Sequence, residues 1–188
     1  MDNEQTMRAW GILVELPSLY DRAGGPLGWN QNRKLNKAKK LLDAALAENP
    51  EDPRSHWGLA TVEHLQNNIE AAWRLMEPLA THFQNEPLYF YECSQLLMAL
   101  GKGAEADEAA RFAVQLAPEN PELKVHYALA LVLTGDTKRA FGVIANVYKT
   151  HPEEHRARLV LDRIKKMMNG QAEIPKRFTA QMWGEGDF

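Results

Sequence analysis

The chain has a single cysteine, Cys93, in 188 residues, so no internal disulfide can staple it and its fold must rest on a packed core. That cysteine usage fits a reducing compartment. Charge of one sign is also missing. The 22 Lys and Arg are set against 25 Asp and Glu, a net of -3, which leaves no global basic field to gather nucleic acid or anionic lipid. Long apolar runs are absent as well: the stretch from Met7 to Tyr20 is interrupted by Arg8, Glu15 and Pro17, too soon for a membrane span. The acidic start, with Asp2 and Glu4, lacks the positive charge of a secretory leader. These absences lead us to expect a cytoplasmic protein with neither a nucleic-acid nor a membrane partner. A phosphate loop is not expected either, since Gly101-Lys102-Gly103 lacks the spacing one needs.

What the chain does have is a period. Ala38, Ala72, Ala106 and Ala140 recur at intervals of 34 residues, as do Ala45, Leu79, Ala113 and Val147. Pro50, Gln84, Pro118 and Pro152 keep the same interval, and Ala60, Ser94 and Ala128 form a further small-residue series. Small residues at fixed places on two helices let them approach closely while larger apolar neighbours fill the seam. The steps Asn49-Pro50, Ala117-Pro118 and His151-Pro152 bias the chain out of the helix and end each second helix. The period therefore predicts antiparallel helical hairpins stacked on one another.

These series resemble the tetratricopeptide repeat, with small residues at its eighth and twentieth places and proline at its thirty-second. The resemblance spans residues 35 to 154, with three full repeats at 53–86, 87–120 and 121–154, a second helix before them and a capping helix near 154–169. It implies an all-α, tetratricopeptide-type α-α superhelix, a right-handed solenoid of three to four repeats. Gln84 departs from the pattern in a proline place, and Pro78 falls inside a second helix, which it should kink. The predicted organisation is an N-terminal extension and loop over 1–32, the repeats over 33–170 and a tail over 171–188. Met7 to Leu16 reads as a helix imitating a first repeat helix, residues 21 to 32 as a loop around Gly24-Gly25-Pro26, and the tail as an extended segment carrying Ile174, Phe178, Met182, Trp183 and Phe188.

On each first helix, places four, seven, eight and eleven face the hairpin core, and places five, nine and twelve share another face about 100° away. The resemblance implies that this second face lines a concave groove. Carried onto this chain, the groove comprises Trp57, Thr61 and His64, then Tyr91, Gln95 and Met98, then Val125, Leu129 and Val132, with Leu159, Arg163 and Lys166 from the capping helix. The stretches Leu88 to Leu100 and Leu123 to Leu133 are apolar on both faces, so something should cover that groove. Three covers stay open: the chain's own N-terminal helix or aromatic tail, a second copy in a homodimer, or a protein or peptide partner anchored on Tyr91 and Trp57. If the groove is vacant, Tyr91→Ala with Leu129→Asp abolishes partner capture and leaves helicity intact. The positions of the chaperone-tail carboxylate clamp hold Trp57, Thr61, Glu92, Glu122 and His126, so that ligand is not expected.

No residue set makes a catalytic, cofactor or metal site. His151-Pro152-Glu153-Glu154-His155 has the letters of an inverted zinc-protease motif, but Pro152 sits in an inter-repeat turn and splits the histidines between two helices. Cys93 stands in a core place, as a small hydrophobe. Arg33, Lys34, Lys37, Lys39 and Lys40 read first as a solvated helix face over Leu35, Ala38, Leu41 and Leu42, with an electrostatic dock for an acidic partner as the alternative. The expected function is a non-enzymatic adaptor or scaffold that binds a protein or peptide in the groove. The alternative is a small secretion-type chaperone holding a hydrophobic client, dimeric through its N-terminal helix.

Overall fold

A computed structural model describes residues 3–18, 25–179 and Met182. The described residues are helices joined by short turns and divide into two compact units, one running to Gln84 and one from Asn85 to Thr179. The first unit holds α1 (Glu4–Leu13), α2 (Trp29–Glu48), α3 (Pro53–Leu65) and α4 (Ile69–Met76), the last running into a 3-10 turn at Glu77–Leu79. The second holds α5 (Pro87–Ala99), α6 (Gly103–Leu116), α7 (Pro121–Leu133), α8 (Thr137–Thr150) and α9 (His155–Met168).

The helix ends follow from residues at the same places in successive repeats. Pro53, Pro87 and Pro121 open α3, α5 and α7, where a missing N–H costs nothing and a fixed φ suits the first turn. Asp52 and Asn120 cap two of these starts, accepting from the backbone N–H groups of Ser55 (3.1 Å) and Glu122 (2.9 Å). Each of these first helices then stops at a left-handed residue, Asn67, Gly101 or Gly135, again 34 apart, and α9 stops likewise at Gly170. At each stop two backbone bonds close the terminus. In α5, for example, Lys102 N–H donates to the Leu97 carbonyl and Gly101 N–H to that of Met98. The second helices α2, α6 and α8 end at Asn49, Ala117 and His151, each one residue before its proline.

The small-residue series lies in the helix seams: Ala38, Ala60, Ala72, Ser94, Ala106, Ala128 and Ala140 are all buried. Replacing Ala128 with Leu should force α7 off its neighbours. We expect a loss of about 1–3 kcal/mol, read from the urea midpoint. Pro78 acts on α4 as expected, since the helix ends at Met76 and continues only as the 3-10 turn.

One expectation changes. Residues 29–32 are not loop but the first turn of α2: the Gln31 side chain accepts from Gly28 N–H (2.8 Å) and Asn32 Nδ2 donates to the Leu27 carbonyl (2.7 Å), fixing the helix start. Residues 21–24 lie outside the described residues. The N-terminal helix packs against α2 and α3. Ala9, Leu13 and Leu16 share a core with Leu27, Leu35, Ala38, Leu42, Val62 and Leu65, so α1 and α2 form a hairpin of their own against α3. The Thr6 and Ser55 hydroxyls bond at 2.7 Å, which ties α1 to the α3 start.

Candidate protein-interaction site

In the first unit Trp57 is 6% exposed, held edge-on by Trp10 (centroids 5.2 Å) and tilted against Phe83 (4.8 Å). Trp10 is itself fixed by a bond from Nε1 to the Arg54 carbonyl. Thr61 donates its hydroxyl to the Trp57 carbonyl, and His64 is buried. Trp57 is therefore packed within its own unit.

In the second unit the residues of the expected groove are covered to different degrees. Gln95, Met98, Val125, Leu129 and Val132 are all buried, while Tyr91 and Arg163 are half-buried and Leu159 and Lys166 exposed. The reason is that α7 touches α5, α6, α8 and α9, so neighbouring helices cover both of its apolar faces. The tail supplies a further cover at the end of α5. Phe178, 1% exposed, donates its backbone N–H to the Met98 carbonyl at 3.0 Å. The Lys176 carbonyl lies 3.1 Å from where a Cβ on Gly101 would stand, and Gly101 is left-handed at φ 73°, so only glycine suits this place. Of the other aromatic tail residues, Trp183 and Phe188 lie outside the described residues.

The half-buried polar group here comes from three successive first helices. Tyr91 (α5) donates its hydroxyl to Glu122 Oε1 (α7) at 2.9 Å, and Arg156 Nη2 (α9) donates to the same oxygen at 2.9 Å. Arg156 Nε also reaches Glu154 at 3.3 Å. His126 lies edge-on to the Tyr91 ring (4.5 Å), with Nε2 at 3.2 Å from the Tyr91 oxygen. Because the Tyr91 proton goes to Glu122, this last bond assigns the proton to His126 Nε2. Burial, with the Arg156 charge beside it, pushes the His126 pKa down to about 3, so the ring is neutral. Burial alone would raise the Glu122 carboxyl, but the Tyr91 bond and the Arg156 charge outweigh it and hold the carboxyl below its ordinary range. The sequence placed Tyr91 on the groove face, named Glu122 and His126 only as places without a carboxylate clamp, and did not single out Arg156. The available signal was the 34-residue step from Glu122 to Arg156, one charge answering the other at the same repeat place.

Cys93 is buried, and desolvation raises its thiol to about 12, leaving almost no thiolate at neutral pH. His151 ends α8 and His155 opens α9, so the two do not share a helix.

Residues 31–96 and 94–155 each match a family model described as Tetratricopeptide repeat. The chain belongs to the tetratricopeptide-repeat family. A search of curated proteins gave no match. Among solved structures this tetratricopeptide-repeat chain is similar to the crystal structure of a thermophilic TPR protein in Thermus thermophilus. The TM-score is 0.62 at 17% identity, covering 88% of this chain and 84% of that one, a likeness that speaks to fold alone. The fold class is accordingly all-α, built of tetratricopeptide-type hairpins. Repeats of this family generally mediate protein–protein interactions and generally serve as non-enzymatic scaffolds. Among the described residues no helix is long and apolar enough to cross a membrane.

Proposed function

We propose that the chain is a non-enzymatic adaptor whose second unit receives an extended peptide segment of a partner protein. The accessible part of the expected groove, Tyr91, Arg163 and Lys166, provides a polar edge, and the chain's own segment 171–179 is the resident occupant at the α5 end. The observation that carries this reading is Phe178. An irregular segment held by a main-chain hydrogen bond and one buried aromatic side chain is how scaffolds hold extended peptides. Val125, Leu129 and Val132 belong to the supporting core.

The test uses a protein ending at Gly170 and a labelled synthetic peptide of residues 171–182, read by fluorescence anisotropy. The peptide should bind, and Phe178→Ala in it should weaken binding about 10- to 100-fold, the effect of losing one buried phenyl ring. If truncated protein that is folded by circular dichroism binds neither peptide, or both equally, the reading fails. Should the truncated protein not fold, hydrogen exchange on the full chain replaces it: Phe178→Ala must then speed exchange at residue 178 and at Gly101.

A further inference from the structure

The first turns of α2 carry a charge pattern that the proposed function leaves unused. From Trp29 to Leu42 the helix has five cations and no acid. Two of these cations are matched, Lys34 to Glu15 at 2.8 Å and Lys39 to Asp43 at 3.5 Å. Arg33, Lys37 and Lys40 are exposed and, among the described residues, make no ion pair or hydrogen bond. With Trp29 they form one stripe at helical spacing, about 16 Å long at 1.5 Å per residue.

Three features set this stripe apart from an ordinary solvated face. Arg33 and Lys37 stand one turn apart, a like-charge spacing that destabilises a helix. Side chains on a helix lean toward its N-terminus, so Arg33 lies over a first turn whose N–H groups already carry partial positive charge and which holds no acidic residue. Trp29, the large side chain at the head of the stripe, is 76% exposed. An anionic group seated here would relieve the repulsion, and an apolar one beside it would cover the indole.

We propose that Trp29, Arg33, Lys37 and Lys40 form a docking surface for a short acidic segment of a partner protein, with its carboxylates on the three cations and an apolar or aromatic residue against Trp29. A protein segment suits the stripe better than a nucleic acid. The chain as a whole is net negative, which repels a long polyanion, whereas a short segment experiences mainly the charges within a Debye length of about 8 Å. Three cations in a single row also match a few carboxylates rather than a continuous phosphate backbone. Tryptophan and arginine are the residues on which binding energy concentrates at protein interfaces.

The full chain would be titrated with a fluorescein-labelled peptide of alternating Glu and Ser ending in Phe, its Gln-for-Glu counterpart and an oligothymidylate of equal length. We expect the acidic peptide to bind, binding to fall with added salt and the Gln peptide not to bind. The triple variant Arg33→Glu, Lys37→Glu, Lys40→Glu should weaken the acidic peptide about tenfold or more, and Trp29→Ala should weaken it further without changing the salt slope. All four positions are exposed, so these variants should keep the wild-type melting curve. Unchanged binding by the triple variant, or tighter binding of the oligothymidylate than of the peptide, overturns the proposal. Peptide binding that appears only after residues 183–188 are removed assigns the stripe to the chain's own acidic end and also overturns it. A molar mass altered by the triple variant in light scattering assigns it to a second copy, with the same consequence. None of these results bears on the segment 171–182 experiment, which reads a different unit.

Discussion

Leu129→Asp should unfold the second unit. Leu129 is 1% exposed on a helix that four others surround, so the substitution removes a core side chain and places a carboxylate in a buried position. Losing the leucine alone costs about 2–5 kcal/mol, and an unpaired buried carboxylate adds several more or forces the group to protonate. The sum rivals the whole stability of a domain, about 5–15 kcal/mol. The cooperative thermal transition of the second unit should therefore disappear in circular dichroism. Leu159→Asp, on α9 where the side chain is 50% exposed, should shift stability by about 0.5 kcal/mol or less and serves as the control. A Leu129→Asp protein that melts near the wild-type temperature would show that α7 presents an accessible face and that the groove is open after all. For the paired variant Tyr91→Ala with Leu129→Asp, the outcome expected from this burial is loss of the unit's fold rather than the intact helicity that a vacant groove would allow.

That difference marks where the sequence stops being informative. The 34-residue period located α2 and the three hairpins after it because close approach of helices needs small side chains at fixed places, and Ala38, Ala72, Ala106 and Ala140 leave their mark whatever surrounds them. The proline steps at 49–50, 117–118 and 151–152 were legible for a similar reason, being local backbone constraints. Which face of α7 a residue occupies could also be read from spacing. How many neighbours cover that face could not, because Val125, Leu129 and Val132 carry the same letters under a ligand as under another helix. Phe178 stood out only as one of several apolar tail residues, since it lies outside the repeat and its partner is a backbone carbonyl that every residue possesses. The start of α2 was hidden by Gly24, Gly25, Pro26 and Gly28, a cluster that normally reads as loop, while its actual cap is a single Gln31 side chain. Arg156 was recoverable from its step to Glu122, but the pattern used to align the repeats weighs small and apolar places and is blind to charge.

His126 should make the second unit sensitive to acid. The ring is buried among Tyr91, Glu122 and Arg156, and its pKa falls from an ordinary 6.5 to about 3. Between those two values the unfolded chain takes up a proton that the folded unit refuses. Unfolding therefore binds protons, and stability falls as pH drops below about 6.5, the loss growing until pH reaches the folded value near 3. For this one group the loss amounts to about 2–3 kcal/mol by about pH 4.5. The Glu122 carboxyl, held below its ordinary range, acts in the same direction but in a lower window: its contribution is present above the unfolded pKa of 4.5 and lost as pH falls through the depressed folded value. The two windows separate the contributions. His126→Phe keeps a ring edge against Tyr91 and cannot titrate, so its urea midpoint should stay nearly level between about pH 7 and pH 5, where the wild-type midpoint declines. Both proteins should lose stability together once carboxyls protonate. A wild-type midpoint that is flat over the upper window would mean that His126 accepts its proton in the folded state, with water reaching the Tyr91, Glu122 and Arg156 group, and the bond directions assigned there would have to be redrawn.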